Sequence, residues 1–183
     1  MSTADVFNVI DEPLAQELEE IFRTHYSLVY RTAYSVTGNP QDAEDVVQNL
    51  FVGLLRRGCP PGPRENPKGY LYRATINLSL NAVRSRRRHI NAVDESRLVA
   101  PAADFVEDNA PDPEADLQKR LVDAIAQLHP RAVEMLILRY EHNYSDAEIG
   151  KLLGRSRGVI AVTLHRARAR LKKLLRTSCG EKP

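Results

Sequence analysis

Guanidinium, imidazole and amide groups at helical spacing are the side chains of this 183-residue protein that could do chemistry, and they gather in two places. One is Tyr144 to Arg170, YSDAEIGKLLGRSRGVIAVTLHRARAR. There Ile160, Leu164, Ala167 and Leu171 recur as one buried helical stripe, and Arg157, His165, Arg166, Arg168 and Arg170 crowd the remaining sides. Cations on the free sides of a helix can neutralise phosphate and reach base edges. The elements that must hold that helix are legible just ahead of it. Ser145 is a good N-cap, and Glu148 three residues on completes a capping box. Ile149, Leu152 and Leu153 give a short helix one apolar face, Gly154 stands where it must stop in a left-handed cap, and Ser156 can open the second helix. Two short helices, a glycine turn and a basic second helix form the layout of a helix-turn-helix that reads the major groove. The competing description is a helical hairpin with a solvated basic face. Agreement of capping box, glycine and stripe within so short a span argues against it.

The second place is Tyr70 to Arg88. At about 100° per residue, Tyr70, Arg73, Asn77, Asn81, Arg84 and Arg88 share one narrow strip. Leu71, Leu78 and Ala82 flank it on one side and Ile76, Leu80 and Val83 on the other. A helix packed on both flanks would show solvent a strip of ring, amide and guanidinium groups. Such groups suit a nucleic-acid strand, with an aromatic ring stacking on an unpaired base. A solvated polar face with a tyrosine at its edge fits the periodicity equally well.

The rest of the N-terminal half is helical with clear punctuation. Leu14, Leu18, Ile21, Phe22, Val29, Ala33 and Val36 keep helical spacing up to Gly38, with a break expected near His25. Asn39 caps a new helix with Pro40 at its first position, and Asp42, Glu44 and Asp45 stand near the positive end of its dipole. Ala43, Val46, Val47, Leu50, Phe51, Leu54 and Leu55 make its apolar face; Asp42, Asp45, Gln48, Asn49 and Val52 lie opposite. A proline- and glycine-rich loop follows from Gly58 through Pro67.

A net charge of +2 conceals a segregation of sign. Basic residues cluster at Arg84–Arg88 and Arg155–Arg176. Between them Asp94, Glu95, Asp104, Glu107, Asp108, Asp112, Glu114 and Asp116 face only Arg97, among Pro101, Pro111 and Pro113. That stretch reads as a flexible acidic tether. No valine- or isoleucine-rich alternation argues for strands. The expected fold is all-α: two small helical domains, residues 13–88 and 113–176, joined by a linker over 89–112, with tails at 1–12 and 177–183. No apolar run reaches membrane-span length, and the start lacks the basic and apolar blocks of a signal peptide. Cys59 and Cys179 are too few and too far apart for a disulfide framework or a zinc site. The five histidines have no metal-ligand spacing and read as surface or interface residues. There is no P-loop, GxSxG or dinucleotide turn. No enzyme, metal or cofactor is indicated, and a cytoplasmic setting is expected.

Three segments together carry a family resemblance: DAEDVVQNLF from Asp42, GYLYRATINLSLNAVRSRRR from Gly69, and LHPRAVEMLILRYEHNYSDAEIGKLLGRS with LHRARARL from Leu128 onward. In order and spacing they resemble regions 2.2, 2.3–2.4 and 4.1–4.2 of the extracytoplasmic-function (ECF) sigma factors of the bacterial sigma-70 family. The resemblance implies a subunit that joins core RNA polymerase through its β′ and β subunits and directs promoter recognition, melting and initiation. It implies that Asp42, Asp45, Gln48 and Asn49 grip the β′ coiled coil. Tyr70, Arg73, Asn77, Asn81, Arg84, Arg86, Arg87 and Arg88 would meet the −10 element. Ser156, Arg157, Ala161, Val162, Thr163, His165 and Arg166 would meet the −35 element. An inhibitory anti-sigma partner is also implied. The chain departs from the family pattern at Asn49 and Gly53, in the loop Cys59–Pro67, and at Ala161, Val162 and Thr163, where polar or basic residues are usual. Small apolar side chains there can touch a thymine methyl but make no bidentate base contact. The alternatives are a stand-alone helix-turn-helix regulator and a protein-interaction adaptor. The first would need a dimerisation helix that is not evident. That regulator would also have no need for the Asp42–Phe51 face or the Tyr70–Arg88 strip, and an adaptor would turn the basic faces to acidic partners.

Overall fold

The structure, a computed structural model, describes residues 12–57, 66–97 and 113–178. Among these it has seven helices and no strand: α1 (Glu12–Thr37), α2 (Pro40–Arg57), α3 (Pro67–Arg97), α4 (Pro113–Ala126), α5 (Pro130–Tyr140), α6 (Asp146–Leu153) and α7 (Arg157–Ser178). The all-α expectation holds. The loop residues 58–65, Cys59 among them, and most of the two tails lie outside the described residues, as do Cys179 and 98–112.

Helix boundaries follow local chemistry. Gly38 ends α1 in the left-handed region at φ 64°. The Asn39 side chain then accepts the Asp42 amide at 3.0 Å, so Asn39 caps α2 with Pro40 at the first position, as expected. Asn66 does the same for α3, accepting the Gly69 amide at 2.9 Å ahead of Pro67. Two expectations are corrected. α1 does not break near His25; nothing from Leu14 to Thr37 is a glycine or proline, so no residue interrupts the hydrogen-bond ladder. The tether does not begin at His89, because α3 continues to Arg97. Acidic composition suggests a linker there, yet no glycine or proline stands between Gly69 and Pro101. Similarly, α7 runs through Ser178, two residues into the expected tail.

The first three helices pack as a bundle around Leu18, Val29, Val47, Leu50, Phe51, Leu54 and Leu71. α5, α6 and α7 bury Val133, Leu138, Ile149, Leu153, Ile160, Leu164 and Ala167. Ile160 is fully buried at the centre of this second group, so truncating it to Ala would cost about 2–5 kcal/mol. The two units are not held apart. Val36 of α1 and Tyr72, Ile76 and Leu80 of α3, each at most 1% exposed, belong to the same apolar cluster as Ile125, Leu128 and Val133. Val83 packs separately with Val122 and Ala126 of α4.

Candidate nucleic-acid and polymerase interfaces

The helix-turn-helix forms as its residues require. Ser145 Oγ accepts the Glu148 amide at 3.3 Å, and the Glu148 carboxylate accepts from the Ser145 amide at 2.8 Å and hydroxyl at 2.6 Å. Those bonds to Ser145 hold the Glu148 carboxyl below its ordinary pKa. Gly154 takes φ 63° and closes α6. That region costs an L-residue roughly 1–2 kcal/mol. Gly150 matters for a different reason: a Cβ there would lie 2.6 Å from the backbone carbonyl oxygen of Arg155, so α6 meets the turn at a point with no room for a side chain. Ser156 Oγ accepts the Val159 amide at 3.4 Å and opens α7.

α7 buries Ile160, Leu164 and Ala167, with Leu171 half-buried, as its stripe predicts. Ser156, Arg157, Ala161, Val162, His165 and Arg166 are exposed, and Thr163 is half-buried. The structure therefore brings the seven candidate −35 residues onto the free side of one helix. It adds Val159, which sequence reasoning missed. Val159 is 49% exposed and Val162 51%, two apolar side chains three residues apart on an otherwise basic surface. Val159 could have been found by asking which apolar residue of α7 lies outside the buried stripe.

The α3 strip has a different fate. Asn77, Asn81 and Arg88 are exposed and Tyr70 is half-buried against the N-terminal core. Three cations on or beside the strip meet partners. Arg84 donates from Nε to the Ala126 carbonyl at 3.0 Å and from Nη2 to the Leu128 carbonyl at 3.1 Å. Arg87 donates to the Asp123 carbonyl at 3.2 Å, with Nε 3.4 Å from the Asp123 carboxylate. Arg73 Nε lies 3.8 Å from Glu134 Oε1. The strip is thus open in part: Arg73, Asn77, Asn81 and Arg88 are exposed, while Arg84 and the neighbouring Arg87 face the end of α4. Arg73 and Asn77 border a cavity of about 370 Å³ shared with His129, Arg131, Glu134 and Arg155. On α2, Asp45, Gln48 and Asn49 are exposed, whereas Asp42 is half-buried and paired with Arg86, so one residue expected at polymerase meets one expected at DNA.

Two residues between the units carried no signal in the sequence. Glu134 is 4% exposed, and burial raises its pKa against the opposing pull of Arg73 and Arg131. His142 packs edge-on against Tyr72 with ring centroids 5.0 Å apart. Its Nε2 lies 3.0 Å from Thr32 Oγ1. The Thr32 hydroxyl already donates to the Leu28 carbonyl at 2.7 Å, so Nε2 must carry the proton and donate. Burial first, then Arg31, lowers the pKa of His142; Lys68 acts the same way and Glu141 opposes. The partners of His142 lie 110 positions away in Thr32 and 70 in Tyr72.

An all-α chain with a capped helix-turn-helix and an amide-and-guanidinium helix belongs, as a class, among proteins that read nucleic acid. Comparison with known proteins is more specific. The family model described as Sigma-70 region 2 matches residues 21–89, and that described as Sigma-70, region 4 matches residues 118–171. The ECF RNA polymerase sigma factor SigE of Mycolicibacterium smegmatis is 33% identical, over 93% of this chain and 66% of its own length. The RNA polymerase sigma factor CarQ of Myxococcus xanthus is 32% identical, over 86% of this chain and 88% of its own. In fold, the chain is similar to CnrH solved with the cytosolic domain of CnrY, at TM-score 0.53 and 20% identity, covering 89% of this chain and 90% of that one. The chain belongs to the sigma-70 family, as an ECF RNA polymerase sigma factor. Members of this family are regulators of transcription rather than enzymes. Among the described residues no helix is long and apolar enough to cross a membrane.

Proposed function

We propose that residues 13–88 and 113–176 divide the work of a sigma factor along the lines of their exposed chemistry. Asp45, Gln48 and Asn49, with Asp42 at their edge, dock α2 on the β′ coiled coil of core RNA polymerase. An exposed acidic and amide face beside a large apolar core suits a rod-like protein partner. The α3 strip takes the −10 element, its arginines on phosphates and its asparagines on bases. The free side of α7 enters the major groove at the −35 element. There Arg157 and Arg166 hold phosphates, and Val162 with Val159 reads shape or thymine methyls. The setting is the cytoplasm, where the polymerase works, and an anti-sigma protein restrains the factor. The observation that carries the reading is the arrangement of α7: a doubly capped turn presents one bare basic face while the opposite stripe is buried.

The test is transcription in vitro from genomic fragments by core polymerase with and without this chain. Initiation at discrete sites only when the chain is present is the expected result. Asp45→Arg with Gln48→Ala should abolish co-purification with core while leaving helical content and melting nearly unchanged. Asn77→Ala with Asn81→Ala should spare core binding and reduce permanganate-reactive thymines in the melted region. Wild-type yield in the first, or wild-type melting in the second, would remove the corresponding assignment.

A further inference from the structure

We propose that the cavity between α3, α5 and the turn after α6 binds a nucleoside di- or triphosphate, with Arg73, Arg131 and Arg155 on the phosphates and the apolar floor under the base. The cavity holds about 370 Å³, within the range of small-molecule sites. Arg73 enters it from α3, Arg131 from the first turn of α5 and Arg155 from the turn that follows α6. Three guanidiniums from elements distant in sequence thus surround one space, where like charges repel unless an anion lies among them. Among the described residues one carboxylate lines the cavity, that of Glu134, with Oε1 3.8 Å from Arg73 Nε. The Arg131 and Arg155 guanidiniums form no hydrogen bond or salt bridge among the described residues. Planar donor forks of this kind take phosphate oxygens two at a time. His129 adds a further donor: its Nδ1 accepts the Arg131 amide at 3.2 Å, so its proton sits on Nε2.

Glu134 points to a ligand by itself. It is 4% exposed, and its Oε1 accepts no hydrogen bond among the described residues. A buried oxygen without a partner is costly, and a bound group can satisfy it. Burial raises the pKa of this carboxyl against the pull of Arg73 and Arg131, so it can hold a proton and donate to a phosphate oxygen instead of repelling it. The floor is of another kind. Ile76, Met135 and Leu153 line it, each at most 8% exposed. A bare inorganic anion has no use for that surface. A planar base covers it, with the Met135 thioether against the ring and the Asn77 amide within the same cavity to meet a base edge. Arg131, Glu134 and Arg155 belong to none of the three proposed promoter and polymerase faces, so the site goes beyond them.

Titration calorimetry of the full chain in chloride buffer tests the site, with ATP, GTP, pyrophosphate and inorganic phosphate as probes. ATP or GTP should bind with Kd below ~1 mM, and at least ~10-fold more tightly than pyrophosphate, because only the nucleotide buries the apolar floor. Arg131→Ala with Arg155→Ala should weaken that binding at least ~10-fold through the loss of charge-assisted bonds. Lys172→Ala with Lys173→Ala, exposed cations elsewhere on α7, should leave it unchanged. Glu134→Gln, which donates at every pH, should bind at least as tightly as the wild type. No binding of either nucleotide at millimolar concentration overturns the proposal, as does pyrophosphate binding as tightly as both, equal weakening by the lysine pair, or weakening by Glu134→Gln. A single-stranded oligonucleotide that loses as much affinity as ATP in the arginine variant assigns the cavity to a nucleic-acid face and also overturns it. If the arginine variant melts early, the wild type decides: ATP or GTP should raise its Tm more than sodium chloride of equal ionic strength, and no excess overturns the site.

Discussion

α3 and α7 carry the same kinds of side chain and meet opposite fates. Both bury one apolar side and line another with arginines. On α7 the arginines at the start of the helix and at Arg166 stand in solvent, because α5 and α6 cover only the side that holds Ile160, Leu164 and Ala167. On α3 two apolar flanks demand cover, and the second, through Ile76, Leu80 and Val83, is met by the C-terminal unit. The arginines beside that flank are carried into contact with whatever covers it. The difference teaches that a basic helix is as free as its apolar sides allow. One buried stripe leaves a cationic face open, whereas two bring a neighbour against its edge.

Breaking α7 without touching α3 should have the largest effect. Gly150→Ala puts a Cβ against the Arg155 carbonyl oxygen at 2.6 Å. This backbone collision should destabilise the C-terminal unit by about 1–3 kcal/mol, read by denaturant unfolding, and should remove −35 binding. Unfolding at the wild-type midpoint would mean that the turn is looser than its geometry indicates. The comparison sharpens next on the exposed face. Val162→Ser should change which −35 bases are selected, each position being worth on the order of 1–3 kcal/mol. Arg166→Ala should leave the preference unchanged while lowering the salt dependence of binding by about one phosphate contact. Selection from a randomised −35 library with each variant separates the two effects. Ser145→Ala, which removes one side of the capping box, should cost about 1 kcal/mol in thermal unfolding.

The smallest effects are expected at the contact that distinguishes α3. Burial raises the pKa of Glu134, so its carboxyl favours the packed state while protonated and loses that contribution as pH rises through the raised value. Glu134→Gln, neutral at every pH, should therefore raise Tm at neutral pH, with the gain shrinking toward about pH 4. His142 has the opposite sense. Its pKa is lowered from 6.5 in the packed state, so its contribution is complete above that value and declines as pH falls below it. His25, lowered by burial and by Lys68, acts in the same direction. Melting curves on the acid side of neutrality should show stability falling more steeply with decreasing pH for the wild type than for His142→Asn. An equal dependence in both would place the titration elsewhere.

The helix-turn-helix was legible because each of its determinants acts within a few residues. A capping serine and its glutamate are three positions apart, the glycine's backbone freedom is its own, and a buried stripe repeats every turn. The family resemblance added order and spacing over longer reaches. What went unread was Glu134, His142 and the engagement of Arg84 and Arg87. Arg84 meets oxygens 42 and 44 residues away, and those oxygens belong to the backbone, so no side-chain type marks them as its partners. From His89 onward acidic composition suggests a linker, but no glycine or proline stops the helix before Pro101, and α3 runs on to Arg97.

Taken alone, then, the amino-acid order determined the helices, the two capped ends of the reading motif, the sidedness of α7 and the family, since all depend on local backbone preference or on a pattern of types along the chain. Only the tertiary structure decided which cations are free, because that depends on how much apolar surface each helix has left to bury and on which neighbour covers it.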